Sequence, residues 1–306
     1  MDAELQILHR DGILVVMLTK HVDDIKCAGK RACFEWVIKT LEEAFGKLKA
    51  SWETFTNCGV RHIHDPVKPV ITLDQEEYIA ALRPIVHDDV KSRPTEGECG
   101  YELQQLYMSL VGAIAWCMQT RVDLAVFVSA LQRHTGKCKH IHVKRLNAVV
   151  RYAKRHPRRI TYNRLGVHAQ GAKTMLQATI DSAFKKEEDS GHAMRGALFL
   201  RSRASYNDVG NEVPGDMTLS AHNSQVHLIG DMCGKHRHVV RSTFGSELVA
   251  LGVGIDLLLA RAQLFHELLC GVCSFSEARE LRMNPGWKVV LCADTDALSV
   301  YAAISA

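Results

Sequence analysis

Two adjacent carboxylates, Asp23 and Asp24, stand between two short apolar runs near the N-terminus. The runs, Ile13–Leu18 and Ile25–Gly29, predict the two strands of a hairpin that holds the acid pair at its turn. Neighbouring carboxylates repel each other, and a divalent cation between them relieves the repulsion. Because Mg²⁺ is held by one or two carboxylates together with substrate phosphates, the chemistry indicated is phosphoryl transfer. The alternative is an ordinary polar turn, since Asp is a common turn residue.

Three further acids, Asp181, Glu247 and Asp296, lie far apart in the sequence. Asp181 ends a predicted strand, Glu247 lies near the start of a predicted helix, and Asp296 follows another predicted strand. One sheet with a helix packed on it could bring the three together, and paired metal ions suit phosphodiester hydrolysis. Each acid alone is best interpreted as a surface carboxylate, so their joint order carries the hypothesis. Asp294 lies at the same strand end and stays open as an alternative to Asp296.

A block of basic residues separates the two acid groups. The chain has 306 residues and a net charge of only +4, but no Asp or Glu occurs between Asp123 and Asp181. A surface that carries only positive charge predicts a polyanionic partner, because acidic and basic residues are normally mixed on a surface that binds nothing. The candidate nucleic-acid-binding residues within this block are Lys137, Lys139, Lys144, Arg145, Arg151, Lys154, Arg155, Arg158 and Arg159.

Composition indicates a globular intracellular protein, cytoplasmic or nuclear. Ten cysteines without a regular framework are typical of a reducing compartment, and we expect neither a signal peptide nor a membrane span. Two groups of histidine and cysteine do not have the spacing of a familiar zinc site, so we expect no zinc there. These groups are His134, Cys138, His140 and His142, and Cys233, His236 and His238.

Hydrophobic periodicity indicates the elements that must position these residues. The clearest helix has apolar residues at alternating spacings of four and three from Phe244 to Leu269, with Ser242 or Thr243 as its cap. Strands are predicted at 175–180, 196–200, 226–229 and 287–293, and short strands between 51 and 72. Other helices are predicted over Ala32–Leu48, Glu102–Gln119, Val122–His134 and Ile141–His156, the last ended by Pro157.

The segment His21–Asp24 resembles the metal-binding turn of reverse transcriptases, with His21 in place of the usual tyrosine. Further segments resemble, in order, the polyprotein of copia-type (Ty1/copia) retrotransposons. They are Phe34–Phe45, Phe55–Gly59, Tyr107–Trp116, Thr120–Ala125, Val128–Gln132, Val150–Lys154 and Arg241–Ala250. Any one of these is a weak match, whereas the ordered series, which covers nearly the whole chain, is a strong one.

The segments Ala178–Phe184, Ser246–Ala250 and Thr295–Tyr301 resemble the ribonuclease H fold, whose first-strand Asp, helix-borne Glu and fourth-strand Asp bind two Mg²⁺ ions. The resemblance implies a mixed α+β or α/β chain. A partial reverse-transcriptase palm would occupy 1–72 and a helical thumb or connection 73–165. A ribonuclease H-like mixed sheet with helices, truncated at its C-terminus, would occupy 173–306.

The resemblance also implies partners and roles. The partners would be RNA, DNA, RNA–DNA hybrid and other polyprotein segments, with no membrane. Asp23 and Asp24 would hold Mg²⁺ for nucleotide addition, and Asp181, Glu247 and Asp296 would hold it for cutting the RNA strand of a hybrid. The family's upstream polymerase Asp is expected to be missing, so we expect no autonomous DNA synthesis. The fourth metal-binding residue of the ribonuclease H unit is expected to lie beyond Ala306, so we expect weak hydrolysis. The alternatives are a catalytically inactive nucleic-acid-binding remnant and an unrelated intracellular scaffold.

Overall fold

A computed structural model describes residues 5–22, 24–92, 94–165, 174–183, 192–203, 226–237, 239–283 and 286–305. Three sheets, each with helices beside it, follow one another along the chain. The protein therefore belongs to the mixed α and β class, as the sequence predicts.

The first sheet is a three-stranded antiparallel meander in the order β1-β2-β3. Its strands are Leu5–Arg10, Ile13–His21 and Asp24–Gly29, and helix α1, Arg31–Phe45, follows them. Asp11 and Gly12 both have positive φ, 51° and 72°, as the turn of a tight hairpin requires. Cys33 of α1 packs on Val15 and Val16 of β2, which places the helix against the sheet.

The second sheet is antiparallel in the order β4-β5-β6-β7. Its strands are Thr54–Asn57, Val60–His64, Val70–Asp74 and Ile160–Asn163. Between β6 and β7 lie helices α2 to α6, at Glu76–Ala81, Asp88–Ser92, Tyr101–Trp116, Ala125–Gln132 and His140–Arg155. Fully buried Tyr107, Ile114, Leu124 and Leu146 form the centre of this helical core.

The boundary that the sequence suggests between 72 and 73 falls inside strand β6. β6 pairs with β7, so the strands before and after the helical segment belong to the same sheet. Helices α2 to α6 thus lie, along the chain, between two neighbouring strands of the second sheet.

The third sheet has the order β10-β9-β8-β11, in which β11 runs parallel to β8 and the other pairs are antiparallel. The strands are Thr174–Ala183, Met194–Arg203, His227–Lys235 and Val289–Thr295. The helices are α7, Thr243–Cys270, α8, Phe275–Met283, and α9, Leu298–Ser305. The core between α7 and the sheet includes Ile180, Phe199, Leu251 and Leu258.

Helix α7 is long and apolar enough to cross a membrane by length and composition alone. However, it lies against the third sheet, with Ala250, Leu251, Leu258 and Ala262 buried in the shared core. It also carries buried Glu247. One face of the helix therefore packs on the sheet, and 28% of its apolar stretch is buried.

Candidate metal centre

Asp181, Glu247 and Asp296 lie together in the third unit. One carboxylate oxygen from each can be chosen so that all three atoms lie within 4.8 Å of one another. Asp181 is an exposed residue near the end of β8, Glu247 is buried in the second turn of α7, and Asp296 is exposed directly after β11. Carboxylates at these distances can share a cation.

Strand register explains why Asp181 and Asp296 meet. In the parallel ladder between β8 and β11, Thr295 pairs with Ile180. The next residue along the chain is Asp181 in one case and Asp296 in the other, so the carboxyl ends of the parallel strands bring the two acids to the same edge of the sheet.

Glu247 is placed by the start and the packing of α7. The Ser242 hydroxyl caps the helix by accepting a hydrogen bond from the Gly245 N–H at 3.0 Å. Two turns after Glu247, Gly254 lies so close to Ile180 that a side-chain carbon there would overlap it. The helix therefore approaches β8 closely, and Glu247 reaches the strand that carries Asp181.

The electrostatics of the site oppose ionisation of Glu247. Burial raises the pKa of Glu247, and the charges of Asp181 and Asp296 raise it further. The Oε2 atom of Glu247 is buried without a hydrogen-bond partner in the described part of the chain. A cation would supply the missing partner and reverse the repulsion, and an all-oxygen donor set suits hard ions such as Mg²⁺.

A buried polar network lies directly behind the acids. The Nε2 atom of His236 is 3.2 Å from the Ser182 hydroxyl and 3.3 Å from the Ser246 hydroxyl, and the two hydroxyls also contact each other. Ser182 follows Asp181 in the chain and Ser246 precedes Glu247. The network thus ties β8 to the start of α7 at the acids. Sequence reasoning missed it, because the only signal is a serine beside each acid.

The structure distinguishes the two candidates for the third acid. Asp294 accepts hydrogen bonds from the Gln177 amide and from the Cys292 thiol, the latter at 3.2 Å. Burial first, and then the Asp294 charge, raises the pKa of the Cys292 thiol to about 12. Asp294 is thus engaged within its own sheet, whereas Asp296 lies with Asp181 and Glu247.

The N-terminal acid pair is only partly described. Strands β2 and β3 form the hairpin that the sequence predicts, with His21 opposite Asp24. Asp24 is exposed and opens β3, and Asp23 lies outside the described residues. In the described ranges, Asp24 joins no group of three or more potential metal ligands.

The nine candidate nucleic-acid-binding residues fall into two sets. In the first set, Lys137, Lys139, Arg158 and Arg159 form ion pairs with Glu98, Glu96, Asp123 and Glu76, at 2.8, 3.4, 3.7 and 3.1 Å. Lys154 belongs to it too, because its ammonium donates to the Ala80 and Leu82 carbonyls at 2.9 Å.

The second set lies along helix α6 and has no ion pair within the described residues. We call it the α6 stripe: Lys144, Arg145, Arg151 and Arg155. The last three are exposed and Lys144 is half-buried. In the described part of the chain, these four cations have neither an acidic partner nor the carbonyl partners that Lys154 has.

The histidine and cysteine groups do not form a ligand set in the described part of the chain. His140 is buried, and its Nδ1 lies 3.0 Å from the Pro94 carbonyl. The rings of His134 and His142 stack at 3.6 Å between centroids. His238 lies outside the described residues.

Comparisons with protein-family models, with curated proteins and with solved structures found no match to this chain.

Proposed function

We propose that the third unit is a metal-dependent nuclease domain of the ribonuclease H type, which cuts the RNA strand of an RNA–DNA hybrid. The observation that carries the proposal is the convergence of Asp181, Glu247 and Asp296 within 4.8 Å. By the sequence resemblance, the chain would be part of a copia-type retrotransposon polyprotein. The β2–β3 hairpin with Asp23 and Asp24 would then belong to its reverse transcriptase.

The order of the elements supports this proposal. The resemblance expects an acid on the first strand, one on the helix and one on the fourth strand of a ribonuclease H unit. Here β8 is the first strand of the third sheet, α7 is the helix that crosses to the parallel strand, and β11 is the fourth strand. Asp181, Glu247 and Asp296 occupy the corresponding positions, the last one residue beyond its strand.

The side chains would hold Mg²⁺ through carboxylate oxygens, with buried Glu247 as the fixed ligand and the two exposed aspartates facing the substrate. Bound Mg²⁺ ions would activate the attacking water and stabilise the leaving oxygen of the phosphodiester. Because the pKa of Glu247 is raised, the residue must lose its proton before it can bind the cation, so affinity should increase with pH.

The test is Mg²⁺-dependent cleavage of a labelled RNA–DNA hybrid by the full chain. Asp181→Asn keeps the shape of the side chain and removes its charge. We expect it to reduce cleavage by more than the about 10–100-fold that loss of an outer-shell partner costs a metal site, because a direct ligand is lost. Asp256→Asn is the matched control, since Asp256 is an exposed acid of the same helix α7. Equal cleavage by Asp181→Asn and the parent would refute the proposal.

We propose the α6 stripe as the nucleic-acid contact. Each phosphate that a cation neutralises contributes about −0.9 to the slope of log affinity against log salt on duplexes. Arg151→Gln with Arg155→Gln should therefore make the slope shallower by about 2. The matched control, Lys137→Gln with Lys139→Gln, removes two cations that already have acidic partners, and should change the slope less.

The stripe also favours a second candidate function, a catalytically inactive nucleic-acid-binding remnant. Salt-dependent binding of the hybrid without Mg²⁺-dependent cleavage would support it over the nuclease. Equal slopes for the two double variants would contradict the assignment of the stripe in either case.

A further inference from the structure

An open pocket with a largely apolar lining and a few polar groups lies where the second and third sheets meet, and the three acids do not line it. Edge strand β7 approaches the start of β10. The Tyr162 hydroxyl donates to the Leu228 carbonyl at 2.8 Å, and His227 Nε2 lies 2.7 Å from the Asn163 carbonyl. These contacts enclose one side of an open pocket of about 520 Å³. Pockets of this size hold small organic ligands.

The pocket is basic at one end. Arg201 of β9 and His227 of β10 are directly opposite in the antiparallel ladder, so their side chains share a face. With exposed Arg164 and His64 they form a lining that contains no acid among the residues described. An anion would therefore meet several cationic or hydrogen-bonding groups and no carboxylate.

Arg201 is the group that most needs a ligand. It is half-buried, and its Nε atom is enclosed without a hydrogen-bond partner in the described ranges. Its guanidinium lies 5.5 Å from the centre of the Phe265 ring, which stabilises a cation but satisfies no N–H. Burial lowers its pKa, as expected for a cation with no neighbouring counter-charge. A phosphate bound in the pocket would supply the counter-charge that Arg201 lacks among the described residues.

The other end of the pocket is flat and apolar. The Tyr162 ring and the side chains of Pro69 and Ile71 line it. The His227 ring meets the Tyr162 ring edge to face, at 5.2 Å between centroids. Aromatic surfaces of this kind stack on nucleobases. A carboxylate or free phosphate would use the basic end and leave this wall uncovered, whereas a nucleotide would use both ends.

We propose that this pocket binds a nucleotide, with its phosphate on Arg201 and Arg164 and its base against Tyr162. The site is independent of the proposed nuclease centre, because no residue of the pocket belongs to that centre. The nucleotide would come either from solution or from a nucleic-acid strand held by the protein.

The test is calorimetric titration of the full chain with deoxyadenosine 5′-monophosphate in EDTA, which removes divalent metal. We expect binding that Arg201→Met weakens by about tenfold or more, because it removes charge-assisted hydrogen bonds. Deoxyadenosine, which lacks the phosphate, should also bind more weakly. Arg282→Met, at an exposed arginine of α8, is the matched control and should bind like the parent. If Arg201→Met does not fold, Arg164→Met at the exposed rim replaces it, and should weaken binding in the same direction.

Two results would overturn the proposal: unchanged affinity in the arginine variants, or inorganic phosphate binding as tightly as the nucleotide. A 5′-phosphorylated tetradeoxyadenylate identifies the source. Tighter binding of this strand than of the mononucleotide supports a strand ligand, and the reverse order supports a free nucleotide. Asp181→Asn should bind the nucleotide like the parent, so failure of the nuclease proposal and failure of this one are distinguishable.

Discussion

Gly254 offers a direct test of how α7 is held against the sheet that carries the acids. A Cβ atom at this position would overlap the Ile180 side chain. Ile180 is itself 2% exposed and packed in the core, so it has little room to move away. Gly254→Ala should therefore push α7 away from β8, next to Asp181.

The magnitude follows from two opposing effects. Alanine is favoured over glycine in a helix by about 1 kcal/mol, and overpacking a core costs about 1–3 kcal/mol. Gly252 of the same helix is exposed and would have nothing within 4 Å of an added Cβ, so Gly252→Ala gains the first effect alone. The difference in unfolding free energy between the two variants should therefore be about 1–3 kcal/mol in favour of Gly252→Ala.

Hydrogen–deuterium exchange by mass spectrometry of the full chain is the suitable assay, because it reports on peptides of α7 and β8 separately from the other units. Gly254→Ala should exchange faster than the parent in these peptides, and Gly252→Ala as slowly as the parent or more slowly. If the α7 peptides exchange at the same rate in the two variants, Gly254 does not pack closely on Ile180. The explanation given for the position of Glu247 would then be wrong as well.

Three further predictions concern charges and polar contacts. Because its pKa is raised, ionised Glu247 opposes folding at neutral pH. In EDTA at pH 7, Glu247→Gln should therefore have a higher melting temperature than the parent. The difference should disappear as the pH falls to 4.5, the ordinary pKa of glutamate, because the parent side chain is then neutral as well. The variant should also lose any increase in melting temperature that Mg²⁺ gives the parent. His236→Ala removes the shared partner of two buried hydroxyls. It should cost about 1–3 kcal/mol in denaturant unfolding and weaken the Mg²⁺-dependent rise, although His236 is not one of the three acids. Arg61→Met leaves Asp74, which is 0% exposed, without its bidentate partner, and should cost about 3–5 kcal/mol; an effect below 1 kcal/mol would contradict a buried pair.

The sequence predicts the strongly patterned elements well. The apolar repeat from Phe244 to Leu269 corresponds to α7 at Thr243–Cys270, because a long amphipathic helix carries its own signal. The sequence does not predict strand β7 at Ile160–Asn163. Four residues after a helix and Pro157 hold too little pattern, and the strand exists because distant β6 pairs with it.

Candidate site residues are harder to predict, because proximity depends on register. Asp294 and Asp296 are two residues apart, so alternation in a strand would put both on one face. The strand instead ends at Thr295, and the Gln177 amide engages Asp294. The spacing of residues in the sequence predicts neither where β11 ends nor that Gln177 of β8 lies beside Asp294. The sequence therefore cannot choose between Asp294 and Asp296 as the third acid.

The charge of a folded surface is equally hard to predict from a block of like charges in the sequence. The run without acids between Asp123 and Asp181 predicts a surface of one sign, but the neighbours of these cations in space differ from their neighbours in sequence. Glu76, Glu96 and Glu98 lie before the block in the chain and neutralise three of its cations. The α6 stripe keeps its charge, so among the described residues the block presents a smaller basic surface than the sequence suggests.

The three acids stay together because the fold resists their repulsion. The β8–β11 ladder fixes Asp181 and Asp296, the Ser182–His236–Ser246 network ties β8 to α7, and Gly254 lets the helix lie close. Acids on mobile surface segments would separate to reduce the repulsion. Here the unfavourable contact is built into the folded state, so a cation that binds only this state should stabilise the third unit. Mg²⁺ should therefore slow exchange in α7 peptides of the parent and leave those of Asp181→Asn unchanged.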